Sequence, residues 1–210
     1  MNDNNGVEVY GWNTSAGPQS CDYLGPAIED ALTRLGVRRV LDLGCGNGAL
    51  AGQLARAGFD VVGVEYDAEG VAIARAAWPG LRFYNFGVQD DPGTLLAEEA
   101  PFDCVVSTEV IEHLYSPHLL PRFAHAVLKP GGKLVLTTPY HGYLKNLALA
   151  VAGKWDRHLT ALWHGGHIKF WSRATLSALL QGEGFEVTGF RGVGRLPWLW
   201  KSMVLTAVRK

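Results

Sequence analysis

The stretch Val40-Leu41-Asp42-Leu43-Gly44-Cys45-Gly46-Asn47-Gly48 constrains this chain more than any other. An apolar strand runs into a turn built almost wholly from small residues, with a helix able to start at Asn47. Glycines there let the backbone bend tightly and let a ligand lie directly against it. Twenty-three residues after Asp42, a second apolar strand, Asp60-Val-Val-Gly-Val-Glu65, ends in another acid, placed to hold ribose hydroxyls. Strand, glycine turn, helix, strand and acid together predict an α/β fold that offers a nucleoside to its glycine loop.

The rest of the chain keeps that rhythm. Strands are expected at Arg39–Leu43, Val61–Glu65, Leu81–Phe86, Phe102–Ser107 and Lys133–Thr137, with helices at Tyr23–Leu35, Ala49–Ala57, Ala68–Trp78, Thr94–Glu99 and His118–Val127. Lys129-Pro130-Gly131-Gly132 reads as a tight turn into the fifth strand. Such alternation implies a parallel sheet with helices on both faces and ligands at the carboxyl ends of the central strands. From Pro139 to Phe170 the rhythm breaks into a long, aromatic connection with one helix at Tyr143–Val151. It is read as a substrate lid, about 139–171, within a single domain spanning 1–210. A helix at Ser172–Gln181, with Ser172 as N-cap, and strands at Phe185–Gly189 and Met203–Val208 close the sheet. The last two strands are expected to be antiparallel.

At 210 residues the chain fits one domain with a full core. A formal charge of -1 argues against broad nucleic-acid binding, which needs a basic face. Three scattered cysteines, Cys21, Cys45 and Cys104, make no disulfide framework and suit a reducing compartment. The acidic, polar start at Met1 to Gly6 is no secretory signal, and no apolar run reaches the ~20 residues of a membrane span. A cytoplasmic protein, monomer or homodimer, is the expectation.

Gly44-x-Gly46-x-x-Ala49 alone also fits a loose dinucleotide fingerprint. Asp42 separates the readings, because a carboxylate at that strand end repels a pyrophosphate but suits an amine-bearing ligand. Gln89-Asp90, after the third strand, is placed to bond an adenine amino group, and Ser107-Thr108-Glu109-Val110-Ile111-Glu112-His113 borders the same site. With these residues and the Lys129-Pro-Gly-Gly turn, the chain resembles the class I S-adenosylmethionine-dependent methyltransferases. The likeness runs by motif over about residues 36 to 140 and by layout beyond. The resemblance implies a Rossmann-like seven-stranded sheet, order 3-2-1-4-5-7-6, with the last strand antiparallel. It further implies that Gly44, Cys45 and Gly46 hug the methionine part of S-adenosylmethionine and that Asp42 meets its amino group, directly or through water. Glu65 would take both ribose hydroxyls, Tyr66 would lie against the adenine, and Gln89 and Asp90 would read its edge. Thr108 would close the site with its carbonyl, and Glu109 would line it. Transfer is an in-line displacement at a sulfonium methyl, so much of the catalysis is positioning.

Glu109, Glu112 and His113 stand at i, i+3 and i+4, and on a helix they would share one face. Two carboxylates beside a histidine repel unless a cation or shared proton intervenes. The set suits a divalent ion such as Mg²⁺ or Zn²⁺, with His167 as a further ligand. This arrangement is similar to that of the ubiquinone-biosynthesis O-methyltransferase group and of the small-RNA 2'-O-methyltransferases, where a metal is implied to bind neighbouring hydroxyls. The metal-free reading has Glu109 lining the site, Glu112 capping or salt-bridged, and His113 as general base or packed in the core.

In the lid, His141, His164 and His167 mix with Tyr140, Trp155, Trp163 and Trp171. This predicts an aromatic-walled acceptor site with Trp12 from the leader, and with His113, His141 or His167 as a base near neutral pH. Tyr10 and Tyr23 are placed to cover the cofactor. The expected acceptor is a small aromatic or heteroaromatic molecule methylated on oxygen, with ring nitrogen as the alternative. A nicotinamide-dependent oxidoreductase, a metal-dependent RNA methyltransferase and a silent cofactor-binding protein are the competing readings.

Overall fold

In the computed structural model, which describes residues 11–159, 162–163 and 165–210, strand β1 (Arg39–Leu43) lies at the centre of a seven-stranded sheet. Its side chains are buried on both faces beyond Arg39, as expected of a central parallel strand. The strands β2 (Asp60–Glu65), β3 (Arg82–Asn85), β4 (Phe102–Thr108), β5 (Leu128–Pro139), β6 (Phe185–Val193) and β7 (Ser202–Arg209) give the order β3-β2-β1-β4-β5-β7-β6. β1 to β5 pair in parallel, and β7 runs antiparallel to both its neighbours. This is the Rossmann-like arrangement implied by the sequence. The chain order reverses between β1 and β4, and a ligand crevice opens where an α/β sheet does this.

Alternate residues of β1 face two separate cores. Val40 packs with Ile28 and Leu32 of α1 (Cys21–Leu35), Leu54 of α2 (Ala49–Arg56) and Ala74 of α3 (Ala68–Ala77). Leu41 packs with Leu95 of α4 (Pro92–Glu98), Phe123 of α5 (Leu119–Val127) and the helix that precedes β6. The helix starts follow local chemistry. Asp67 and Asp91 accept from the amides of Glu69 and Gly93 at 3.0 and 2.9 Å, capping α3 and α4.

Three departures from expectation have local causes. The Lys129-Pro-Gly-Gly turn is absorbed into β5 as an irregularity, with Phe102 opposite Leu128 and Cys104 already opposite Lys133. The lid carries α6 (Tyr143–Val151) as expected and a second short helix, α7 (Trp155–Leu159). After β4 there is no α-helix but only a 3-10 turn, Ile111–His113, because Glu109 takes φ 52°, left of any helical path. The helix α8 (Arg173–Gly182) starts in a reciprocal capping box between Ser172 and Thr175. Among the described residues no helix is long and apolar enough to cross a membrane. Tyr10 and His164 lie outside the described residues.

Candidate active site

The glycine loop is tied down before any ligand arrives. The amides of Gly44 and Cys45 both donate to the Val64 carbonyl, at 2.8 and 3.0 Å. Gly44 and Gly46 adopt φ 83° and 54°, and a Cβ on either would run into Val110 or the Trp12 ring respectively. Glu65 closes the loop from β2: its carboxylate accepts from the Gly46 and Asp67 amides, each at 2.8 Å. Burial raises its pKa, and those two amides pull the other way. Asn47, unnoticed in the sequence beyond its place in the loop, clamps the leader. Its amide donates to the carbonyls of Thr14 and Ala16, both at 2.8 Å.

Asp42 lies in mid-β1, fully buried, and neither carboxylate oxygen has a hydrogen-bond partner. Burial, followed by the charge of Glu65, pushes its pKa up to about 7. An uncompensated buried carboxylate is costly, and an ammonium or a bridging water would relieve it.

A cavity of about 740 Å³ opens beside this loop, within the range that holds a nucleoside-sized ligand. Gly44, Cys45, Glu65, Tyr66, Gln89 and Thr108 line it. Glu109, His113, Trp163 and His167 line it too, as do Trp12, Cys21 and Leu24. Asp42 sits one layer behind, and Gly46 lies under the Trp12 ring. The glycine cradle, the orphaned Asp42 and the oriented Glu65 fit the methionine backbone, the amine and the ribose of S-adenosylmethionine respectively.

Beyond Asp42, Gly46 and Glu112, four more expected residues do not line the cavity. Asp90 turns back to accept from the Gly87 amide at 2.7 Å, a local bond of the kind short acidic side chains favour in turns. Tyr140 is buried against Trp200 and Phe190, because its amide pairs with the Lys201 carbonyl beside β7. Trp171 packs on the core beneath α8. His141 faces His158 and Phe170, and burial with the nearby Lys145 charge takes its pKa to about 4.

The carboxylate–histidine group divides. Glu109 is anchored elsewhere, accepting from Thr137 Oγ1 at 2.9 Å and Ser202 Oγ at 3.1 Å, with Tyr23 reaching Ser202 in turn at 3.1 Å. The left-handed turn at Glu109 takes it off the face it would share with Glu112 and His113 on a helix. Ligand atoms of Glu112, His113 and His167 do converge, all within 4.8 Å of one another. Glu112 is fully buried; one oxygen accepts from Thr138 at 2.9 Å, and the other has no hydrogen-bond partner and lies 4.0 Å from His167 Nε2. His113 Nδ1 is 2.6 Å from the Gly165 carbonyl, which only accepts, so that nitrogen carries the proton. Two amides of the lid, Ile168 and Lys169, bind the Glu112 carbonyl at 2.9 and 3.0 Å and bring His167 into place.

Electrostatics fit this trio to a cation. Burial first, and then the neighbouring His113, lowers the His167 pKa to about 4, so His167 is neutral at pH 7 and its contact with Glu112 is no ion pair. Burial lowers His113, and burial plus the charge of Glu109 raises Glu112. Neutral imidazoles beside a carboxyl short of a counter-charge are what a divalent ion requires of its ligands.

A family profile described as a methyltransferase domain matches residues 22–189. The chain is 36% identical over 200 residues to the ubiquinone biosynthesis O-methyltransferase of Xanthomonas euvesicatoria, covering 89% of this chain and 80% of that one. It is 33% identical to the protein of the same name from Xylella fastidiosa, covering 90% and 78%. Among solved structures, a magnesium protoporphyrin IX methyltransferase from Synechocystis with bound SAH shares the fold at 20% identity. Its TM-score is 0.66, over 89% of this chain and 82% of that one.

Proposed function

The chain belongs to the methyltransferase-domain family and is an S-adenosylmethionine-dependent methyltransferase, and we propose that it methylates a hydroxyl on a small aromatic or heteroaromatic acceptor with help from a divalent cation. The observation that carries this reading is the convergence of Glu112, His113 and His167, of which the two histidines line the same cavity as Glu65. S-adenosylmethionine supplies an electrophilic methyl on sulfur, and a divalent cation supplies Lewis acidity that lowers the pKa of a neighbouring hydroxyl.

The chain's own residues do the positioning. Glu65, held by two amides, accepts the ribose hydroxyls; Asp42 offsets the amino group; Tyr66 and Gln89 take the adenine. Trp163 stands edge-on to His113 at 5.8 Å between ring centres and gives an aromatic acceptor a flat wall. His113, with Nδ1 fixed on Gly165, and His167, neutral at pH 7, present imidazoles to the acceptor end. The ubiquinone biosynthesis methyltransferases are named as acting on oxygen, which supports the choice of a hydroxyl. A pyrophosphate beside the buried Asp42 would meet repulsion, so the dinucleotide reading is dropped.

The test is methyl transfer to a panel of catechols, phenols, ring-nitrogen heterocycles and short RNAs, with Mg²⁺, Mn²⁺ or Zn²⁺ and with chelator. Catechol turnover that collapses under chelator, and that Glu112→Gln abolishes while S-adenosylhomocysteine still binds, is the expected result. Full turnover under chelator removes the cation from the proposal, and methylation of ring nitrogen alone or of RNA alone removes the hydroxyl acceptor.

A further inference from the structure

Behind the cavity wall lies a lysine with no counter-charge in contact with it. Lys145 of α6 is only 5% exposed. Its ammonium has three donors but makes a single hydrogen bond among the described residues, to the Lys201 carbonyl at 3.3 Å. The next residue, Ser202, donates to the cavity-lining Glu109 at 3.1 Å. One peptide unit therefore separates the carbonyl that Lys145 holds from the hydroxyl that Glu109 accepts. The charge of Glu109 favours Lys145 from a distance, but both its oxygens already accept, from Thr137 and Ser202. Burial, and then the charge of Arg195, pushes the Lys145 pKa down to about 8, so the ammonium is still charged at pH 7. A buried cation without a partner is costly, and an anion beside it removes that cost.

The neighbours of Lys145 add hydrogen-bond donors. The His141 ring stands 5.4 Å from that of His158 in α7 and 5.1 Å from that of Phe170. Burial, and then the Lys145 charge, lowers the pKa of both histidines, so at pH 7 they offer N–H donors rather than charge. Arg195, exposed between β6 and β7, acts on Lys145 and His158 from outside. Asp156 of α7 is exposed and precedes His158 by two positions, so the two do not share a helix face. His167, which lines the cavity, lies within electrostatic reach of His158 and Lys145 and joins the group to the site.

We infer that Lys145, with Arg195, His141 and His158 around it, forms a subsite for an anionic substituent of the methyl acceptor, a carboxylate or a phosphate. The inference rests on the proposed acceptor site beside His113 and His167, and it gives that acceptor a charge. With its hydroxyl at the trio and its anionic group at Lys145, the acceptor is fixed at two points and its attacking oxygen is oriented.

Calorimetry on the protein loaded with S-adenosylhomocysteine and Mg²⁺ tests this without turnover. The probes share a catechol ring and differ in one substituent. 3,4-Dihydroxybenzoate and 3,4-dihydroxyphenylphosphonate are anionic, 3,4-dihydroxybenzyl alcohol is neutral, and 3,4-dihydroxybenzylamine is cationic. An anionic probe is expected to bind at least about tenfold tighter than the alcohol, and the better of the two anions identifies the group. Lys145→Gln closes that gap at low and high salt. Arg195→Gln narrows it about threefold at low salt only, because its charge is exposed and screened. Unchanged S-adenosylhomocysteine affinity shows that the variants fold, and the surface variant carries the test should Lys145→Gln fail to fold. Equal affinity for all four probes, tightest binding of the amine, or an anion preference that Lys145→Gln leaves intact overturns the inference while the catechol site stands. Binding of none of them overturns the catechol reading itself, and the inference with it.

Discussion

Replacing Asp42 by asparagine separates the cost of the buried carboxylate from its use. The wild-type carboxyl rises from 3.8 to about 7 on folding, because burial and Glu65 both disfavour its charged form. The folded state therefore holds the proton more tightly than the unfolded chain. Stability from this group is greatest below pH 3.8, falls as pH rises, and levels off above about 7. The full penalty is about 4 kcal/mol, of which about 2–3 kcal/mol accrues between pH 5 and 8. The asparagine variant carries no such titration but buries an amide without its bonds, at about 1–3 kcal/mol independent of pH. Thermal melts of the ligand-free proteins across pH 5 to 8 should therefore show the wild type losing about 2–3 kcal/mol relative to the variant. S-adenosylhomocysteine should restore the wild type at pH 8 far more than the variant, whose affinity should fall by about tenfold to a hundredfold. Parallel melting curves across that pH range, or equal affinity of both proteins for the ligand, would refute the assignment of Asp42 to the cofactor amine.

Three further outcomes follow from single contacts. Gly46→Ala places a methyl group against the Trp12 ring at φ 54°, so backbone strain alone costs about 1–2 kcal/mol, and calorimetry should show cofactor affinity falling with stability. Ser172→Ala removes one half of the α8 capping box and should lower stability by about 1 kcal/mol in a denaturant melt, with cofactor binding intact. His167→Ala leaves Glu112 and His113 as the only ligands of the trio, and titration with Mn²⁺ should show at least about a tenfold loss of metal affinity, with S-adenosylhomocysteine affinity retained.

The parts of this molecule legible from sequence are those set by local pattern. Val40–Gly48 and Asp60–Glu65 specify strand, turn and acid within a few residues, and the sheet order follows from strand–helix alternation once the family is recognised. The acceptor end depends on distant pairings and was less legible. Ser202 reaches Glu109 only because β7 lies beside β5, and Gly165 holds His113 across 52 positions. Helical spacing grouped Glu109 with Glu112, but a single left-handed residue broke that face. Asp90 had a nearer partner in its own turn, and the lid aromatics Tyr140 and Trp171 found the core before the cavity. In α6, Leu144, Leu147 and Val151 are exposed although their spacing is that of a buried face, so spacing alone did not reveal which side of the helix packs.

The account rests on the cavity beside Glu65 being the cofactor site, and titration calorimetry with S-adenosylhomocysteine on wild type and Glu65→Ala tests it directly. Micromolar binding by the wild type is predicted. Loss of the carboxylate expected to take the ribose hydroxyls, together with its bonds to the Gly46 and Asp67 amides, should weaken the variant about a hundredfold. Equal affinity in both proteins, or heat with NAD and none with S-adenosylhomocysteine, would contradict it.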